Sequence, residues 1–70
     1  MPPGIANRVR ELRQRGDGMT QQALADAVGV SRQTIIAIEN GRYSPSLEVA
    51  IKIAEAFHQP VESVFWLAEP

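Results

Sequence analysis

Seventy residues without a cysteine bound this chain to one small domain, with no disulfide framework and no thiolate zinc site, and point to a reducing, cytoplasmic setting. Apolar residues supply 44% of it, enough for a compact core, yet no apolar run nears the roughly 20 residues of a membrane span and the opening MPPGIANRVR lacks a secretion signal's apolar stretch. The net charge of −1 argues mildly against a nucleic-acid partner, whose binders are usually basic.

Pro2, Pro3 and Gly4 keep the start of the chain non-helical, and residues 1–4 are expected to form a flexible end. A first helix is predicted from about Ile5 to Arg15, with Ile5, Val9 and Leu12 at i, i+4 and i+7 as its buried stripe. Gly16, Asp17 and Gly18 end it, and Met19 returns to the core. Thr20 caps a second helix, in which Leu24, Ala25 and Val28 face inward. Gly29 fits the left-handed residue that closes a helix, Val30 fills the turn, and Ser31 caps a third helix that Asn40 and Gly41 stop. Ser46 caps a fourth, with Leu47, Ala50, Ile51, Ala54 and Phe57 inward and Val49 and Ile53 widening the apolar face. Pro60 opens a short fifth helix, where Val61, Val64 and Phe65 close the core, and residues 68–70 form a frayed end. The pattern is that of an all-α, five-helix single domain spanning residues 1–70.

The segment TQQALADAVGVSRQTIIAIENGR carries the functional signal. Two short helices joined by three residues cannot lie antiparallel, so the second is expected to project from the surface as a helix-turn-helix, the shape that enters a DNA major groove. On that third helix Ile35 and Ile38 turn to the core, while Arg32, Gln33, Thr34, Ile36 and Ala37 form the outer face. Arginine can bond guanine O6 and N7 together, glutamine can bond adenine N6 and N7, and methyl-bearing side chains pack on the thymine methyl. An exposed Ile36 fits that last role.

Gln21, Asn40, Arg42 and Tyr43 are candidates for phosphate contacts, because helix ends, amides, phenols and guanidinium groups attract phosphate oxygens without reading sequence. The charge distribution is compatible with this. Residues 1–42 hold Arg8, Arg10, Arg13, Arg15, Arg32 and Arg42 against Glu11, Asp17, Asp26 and Glu39, whereas residues 43–70 hold Lys52 against Glu48, Glu55, Glu62 and Glu69. Arg13 and Glu39 each follow a core position on their helices, so a structural salt bridge between the first and third helices is expected. His58 has no second ligand in view and reads as a solvated or dipole-facing residue. No nucleophile–base pair, acid pair or phosphate-cradling loop occurs, so neither an enzyme nor a cofactor, metal or small-molecule effector is expected.

Across Asn7 to Trp66 the sequence resembles the lambdoid-phage repressor and Cro proteins and their bacterial XRE-type relatives. The resemblance is carried by NRVRELR, by TQQALADAVGVSRQTIIAIENGRYSPSLEVAIKIAEAF and by PVESVFW. It implies a compact five-helix lambda-repressor-like fold and a transcriptional regulator that binds double-stranded DNA, usually as a two-fold homodimer, with repression the expected action. By motif it implies that Gln21 grips phosphate, that Arg32, Gln33, Thr34 and Ala37 face bases, and that Asn40 and Arg42 touch backbone. The alternative is an antitoxin-like or adaptor module, motivated by the mild acidity and by Phe65-Trp66-Leu67, which suit either core closure or an interface.

Overall fold

The computed structural model describes residues 4–15 and 17–68, which fold into five helices and a two-stranded ribbon within 34 × 22 × 20 Å. In chain order these are β1 (Ile5–Asn7), α1 (Val9–Gln14), α2 (Gln21–Val28), α3 (Arg32–Glu39), α4 (Leu47–Ala56), α5 (Val61–Val64) and β2 (Phe65–Leu67). Gly16, expected among the residues that end the first helix, and residues 1–3, 69 and 70 lie outside the described residues.

The three central helices start as their sequences require. Thr20 Oγ1 accepts from the Ala23 N–H at 2.9 Å, Ser31 Oγ from the Thr34 N–H at 3.1 Å, and Ser46 Oγ from the Val49 N–H at 3.2 Å. Each hydroxyl satisfies an N–H for which the first helical turn has no acceptor. The helix ends are equally local. Gly29, at φ 87°, closes α2, and the Val30 N–H reaches back to the Ala25 carbonyl at 3.0 Å. Gly41, at φ 73°, closes α3, with Gly41 N–H donating to Ile38 and Arg42 N–H to Ala37, the paired bonds of a Schellman stop. The same motif ends α4, where His58 takes the left-handed position at φ 56° and Gln59 N–H donates to the Ala54 carbonyl.

The core is continuous. Leu24, Ala25 and Val28 from α2 meet Ile35 and Ile38 from α3, and Ala50, Ile53 and Ala54 from α4, with Val9, Val64 and Phe65 closing the ends. Met19, Val30 and Phe57 pack partly buried against it. α4 is rotated from the expectation: Ile53 is sealed, whereas Leu47 is 73% exposed and Ile51 is also exposed. Ala50, Ile53, Ala54 and Phe57 make the inward stripe at i, i+3, i+4 and i+7. Leu47 is three residues before Ala50, but in the first turn it extends beyond the end of that stripe.

The all-α expectation is corrected by β1 and β2, which pair antiparallel with Ile5 opposite Leu67, Ala6 opposite Trp66 and Asn7 opposite Phe65. The periodicity of Ile5, Val9 and Leu12 is real, since Val9 is sealed and the other two pack on the core. Only Val9 and Leu12 are helical, however, and Ile5 reaches the core from a strand. Strand pairing depends on partners 58 to 62 residues away that local periodicity does not report. Ala68 N–H donates to the Gly4 carbonyl at 3.0 Å and Arg8 N–H to the Val64 carbonyl at 3.0 Å, so the ribbon is tied at both ends.

Candidate nucleic-acid interface

Three residues, Gly29-Val30-Ser31, link α2 to α3, and Ile35 and Ile38 seal the back of α3 against α2 and the rest of the core. That packing fixes which side faces outward. Arg32 and Gln33 are exposed at its N-terminal end, beside the four backbone N–H groups of the first turn. Thr34, Ile36 and Ala37 are half-buried. The expectation of an exposed Ile36 is therefore corrected: at a boundary position between the sealed and open faces, its side chain is partly covered by the domain while part of it remains at the surface. Thr34 is also engaged, because its hydroxyl lies 2.9 Å from Ser31 Oγ within the cap.

Glu39, at the other end of α3, organises the residues behind this face. Its side chain has no solvent exposure and accepts from three side chains on two other helices. Arg13 of α1 donates from Nε at 2.7 Å and from Nη2 at 3.3 Å, Gln21 of α2 from Nε2 at 3.2 Å, and Arg10 of α1 from Nε at 3.4 Å. Arg13, 11% exposed, also donates from Nη1 to the Met19 carbonyl at 2.8 Å, which fixes the loop before α2. Burial acts to raise the Glu39 carboxyl, but the bonds from Arg13 and Gln21, the Arg13 charge and the Arg10 bond together hold it below the usual carboxylate value. The carboxylate thus stays ionised, yet turned inward and neutralised, so it adds no repulsive charge to the outer face.

The residues selected for phosphate contact sit at the two ends of this arrangement. Gln21 opens α2 and is half-buried; its amide nitrogen uses one N–H on Glu39 and retains a second. Asn40 follows α3, exposed, with Oδ1 accepting from Arg10 Nη2 at 3.1 Å. Arg42 and Tyr43 are exposed in the loop before α4. Sequence reading did not pick out Arg10, which reaches both Glu39 and Asn40, nor Asn7. Asn7 Nδ2 donates to the Ile38 carbonyl at 3.0 Å and its Oδ1 accepts the Val9 N–H at 3.0 Å, so it caps α1 while tying it to α3. The available signal was only an Asn two residues before a helical apolar position. His58 is exposed and serves as the turn residue after α4. Among the described residues, no cluster of three metal-ligating side chains occurs and no helix is long and apolar enough to cross a membrane.

A helix-turn-helix family model matches residues 9–63, which span α1 through most of α5. The chain belongs to the XRE-type helix-turn-helix family of transcriptional regulators. It is 54% identical over 65 residues to YgzD of Bacillus subtilis, an uncharacterized HTH-type transcriptional regulator, covering 93% of this chain and 97% of that one. It is 34% identical over 57 residues to the CTXphi phage transcriptional repressor RstR of Vibrio cholerae, covering 81% of this chain and 50% of the relative. Among solved structures it is similar to the restriction-modification controller protein C.AhdI of Aeromonas hydrophila, at 32% identity and TM-score 0.73, covering 80% and 83% of the two chains. The lambda-repressor-like arrangement of helices is the shared element.

Proposed function

We propose that this regulator binds a specific double-stranded DNA sequence as a two-fold dimer, with α3 in the major groove, and represses transcription from the site it covers. The observation that carries this reading is the exposed Arg32-Gln33 end of a helix whose opposite face is locked in the core. Arg32 suits guanine, Gln33 suits adenine, and the accessible parts of Thr34, Ile36 and Ala37 suit thymine methyl groups. Gln21, Asn40, Arg42 and Tyr43 position the domain on phosphates, and the Arg13–Glu39 bridge orients α3 between them. Repression is favoured by the likeness to RstR, a phage repressor. A dimer of this kind places its two recognition helices about 34 Å apart, one turn of DNA.

Selecting bound sequences from random duplexes and footprinting the winner tests the proposal. A palindromic footprint is expected, and Gln33→Ala should weaken binding to it by about 1–3 kcal/mol while leaving non-specific binding intact. Equal weakening on every sequence would remove base reading. Failure to enrich any sequence would favour an adaptor that docks a protein instead.

A further inference from the structure

Arg8, Arg10 and Arg15, which lie before, within and just after α1, were not part of the contact set above, yet they line an open concavity of about 680 Å³ that begins at the end of α3. Its walls include Arg8, Arg10 and Arg15, with Glu11, Glu39 and Trp66. Two of the three arginines are already engaged: Arg15 Nη2 donates to Glu11 Oε2 at 2.6 Å, and Arg10 to Glu39 and Asn40. Arg8 differs. Among the described residues it has no carboxylate partner, and its guanidinium lies over the Trp66 ring, 4.9 Å from the centroid. An aromatic face orients a guanidinium without neutralising it, so the five N–H donors along its edge remain available to an anion. Trp66 is itself held in place by the pairing of Ala6 with Trp66 across the ribbon.

We infer that this concavity is a second DNA-backbone site, in which Arg8, oriented by Trp66, and the exposed side of Arg10 hold phosphates flanking the sequence read by α3. The inference rests on the DNA-binding reading above and extends it. Continuity supports the assignment: Arg10 bonds Asn40, a residue already placed on the backbone path, so the strip of donors runs from the end of α3 across α1 to the ribbon. Arg10 is 56% exposed while making both bonds, which leaves room for a phosphate beside it. The occupant is the phosphodiester chain because the donors lie along a line leading from α3, whereas the open walls would hold a small anion weakly.

Trp66 is the single tryptophan, so its fluorescence reports this site directly. The native chain is titrated with the selected duplex carrying either long flanks or flanks trimmed to the footprint core. Long flanks should bind more tightly and change the Trp66 emission, and the trimmed duplex should bind without that change. Arg8→Ala should lose about threefold to tenfold in affinity for the long duplex alone, with the salt slope reduced by about one. Circular dichroism of the variant checks that the fold is unchanged, and Arg10→Ala provides a second reading of the same strip. Core binding with no dependence on flank length, or an Arg8→Ala loss equal on both duplexes, overturns the second site while leaving base reading intact. An equal emission change with inorganic phosphate at matched ionic strength overturns the backbone assignment. No binding to either duplex overturns the DNA reading and this site with it.

Discussion

Replacing Glu39 with glutamine should be among the most damaging surface-adjacent changes in this protein, although it alters neither volume nor the apolar core. The carboxylate is sealed and receives four N–H bonds from Arg10, Arg13 and Gln21. In Glu39→Gln one oxygen becomes an amide nitrogen that faces guanidinium donors, and Arg13, only 11% exposed, keeps a charge with no carboxylate beside it. Breaking a buried pair from one side costs about 3–5 kcal/mol. Here the Met19 carbonyl still accepts from Arg13 and Arg10 is free to swing into water, so about 2–4 kcal/mol is expected. For a domain of this size each 1 kcal/mol moves Tm by about 4–8 °C, so the midpoint should fall by roughly 8–32 °C. Thermal circular dichroism measures the shift, and urea unfolding with an unchanged m value confirms that stability alone has changed. The cycle closes with Arg13→Met: joined to Glu39→Leu it should recover much of the loss, because a buried pair is often replaceable by apolar residues of similar volume. A Glu39→Gln midpoint within about 4 °C of the native value would refute the reasoning, since it would equate the cluster with an exposed ion pair.

The same carboxylate sets an acid limit. Its folded value lies below the ordinary 4.5, so its contribution is complete above that value and is lost as pH falls through the lowered one; native chain should lose stability there, and Glu39→Gln should show a flatter profile in pH-dependent urea unfolding. Ile53→Ala empties a fully sealed site where α4 meets the core and should cost about 2–5 kcal/mol by chemical denaturation, a large share of what a chain this small possesses. His58→Gly should do the opposite and stabilise by about 0.5–1 kcal/mol, because φ 56° strains an L side chain and glycine adopts it freely; a loss would mean that the imidazole makes an interaction of its own. Arg42→Ala should weaken binding to every duplex alike and lower the salt slope by about one, in contrast to the sequence-dependent loss expected of Gln33→Ala.

How far the sequence reached depended on the range of the interactions involved. Thr20, Ser31 and Ser46 each cap a helix through an N–H three residues on, and at Gly29 and Gly41 the following residues, Val30 and Arg42, bond carbonyls five residues back, so these roles are written within a few residues of chain. The inward faces of α2 and α3 were legible for the same reason, since Leu24, Ala25, Val28, Ile35 and Ile38 repeat at helical spacing. So was the exposure of Arg32 and Gln33, which follows once the opposite face is apolar. The local pattern of α4 was ambiguous because it holds more apolar residues than one face can bury. Contact with α2 and α5 selected Ile53 over Ile51.

Tertiary structure alone decided the rest. Residues 5–7 have a helix-compatible period and became a strand only because Phe65–Leu67 came alongside. Glu39 is separated from Arg13 and Arg10 by 26 and 29 positions, and from Gln21 by 18. Periodicity suggested one of those partners but could not supply the sealed environment that makes the cluster strong. Arg8 and Trp66 stand nearly at opposite ends of the chain and meet through the ribbon. Local backbone preferences act over a few residues and can be read in order, whereas desolvation and charge pairing depend on which distant surfaces the collapsed core brings together.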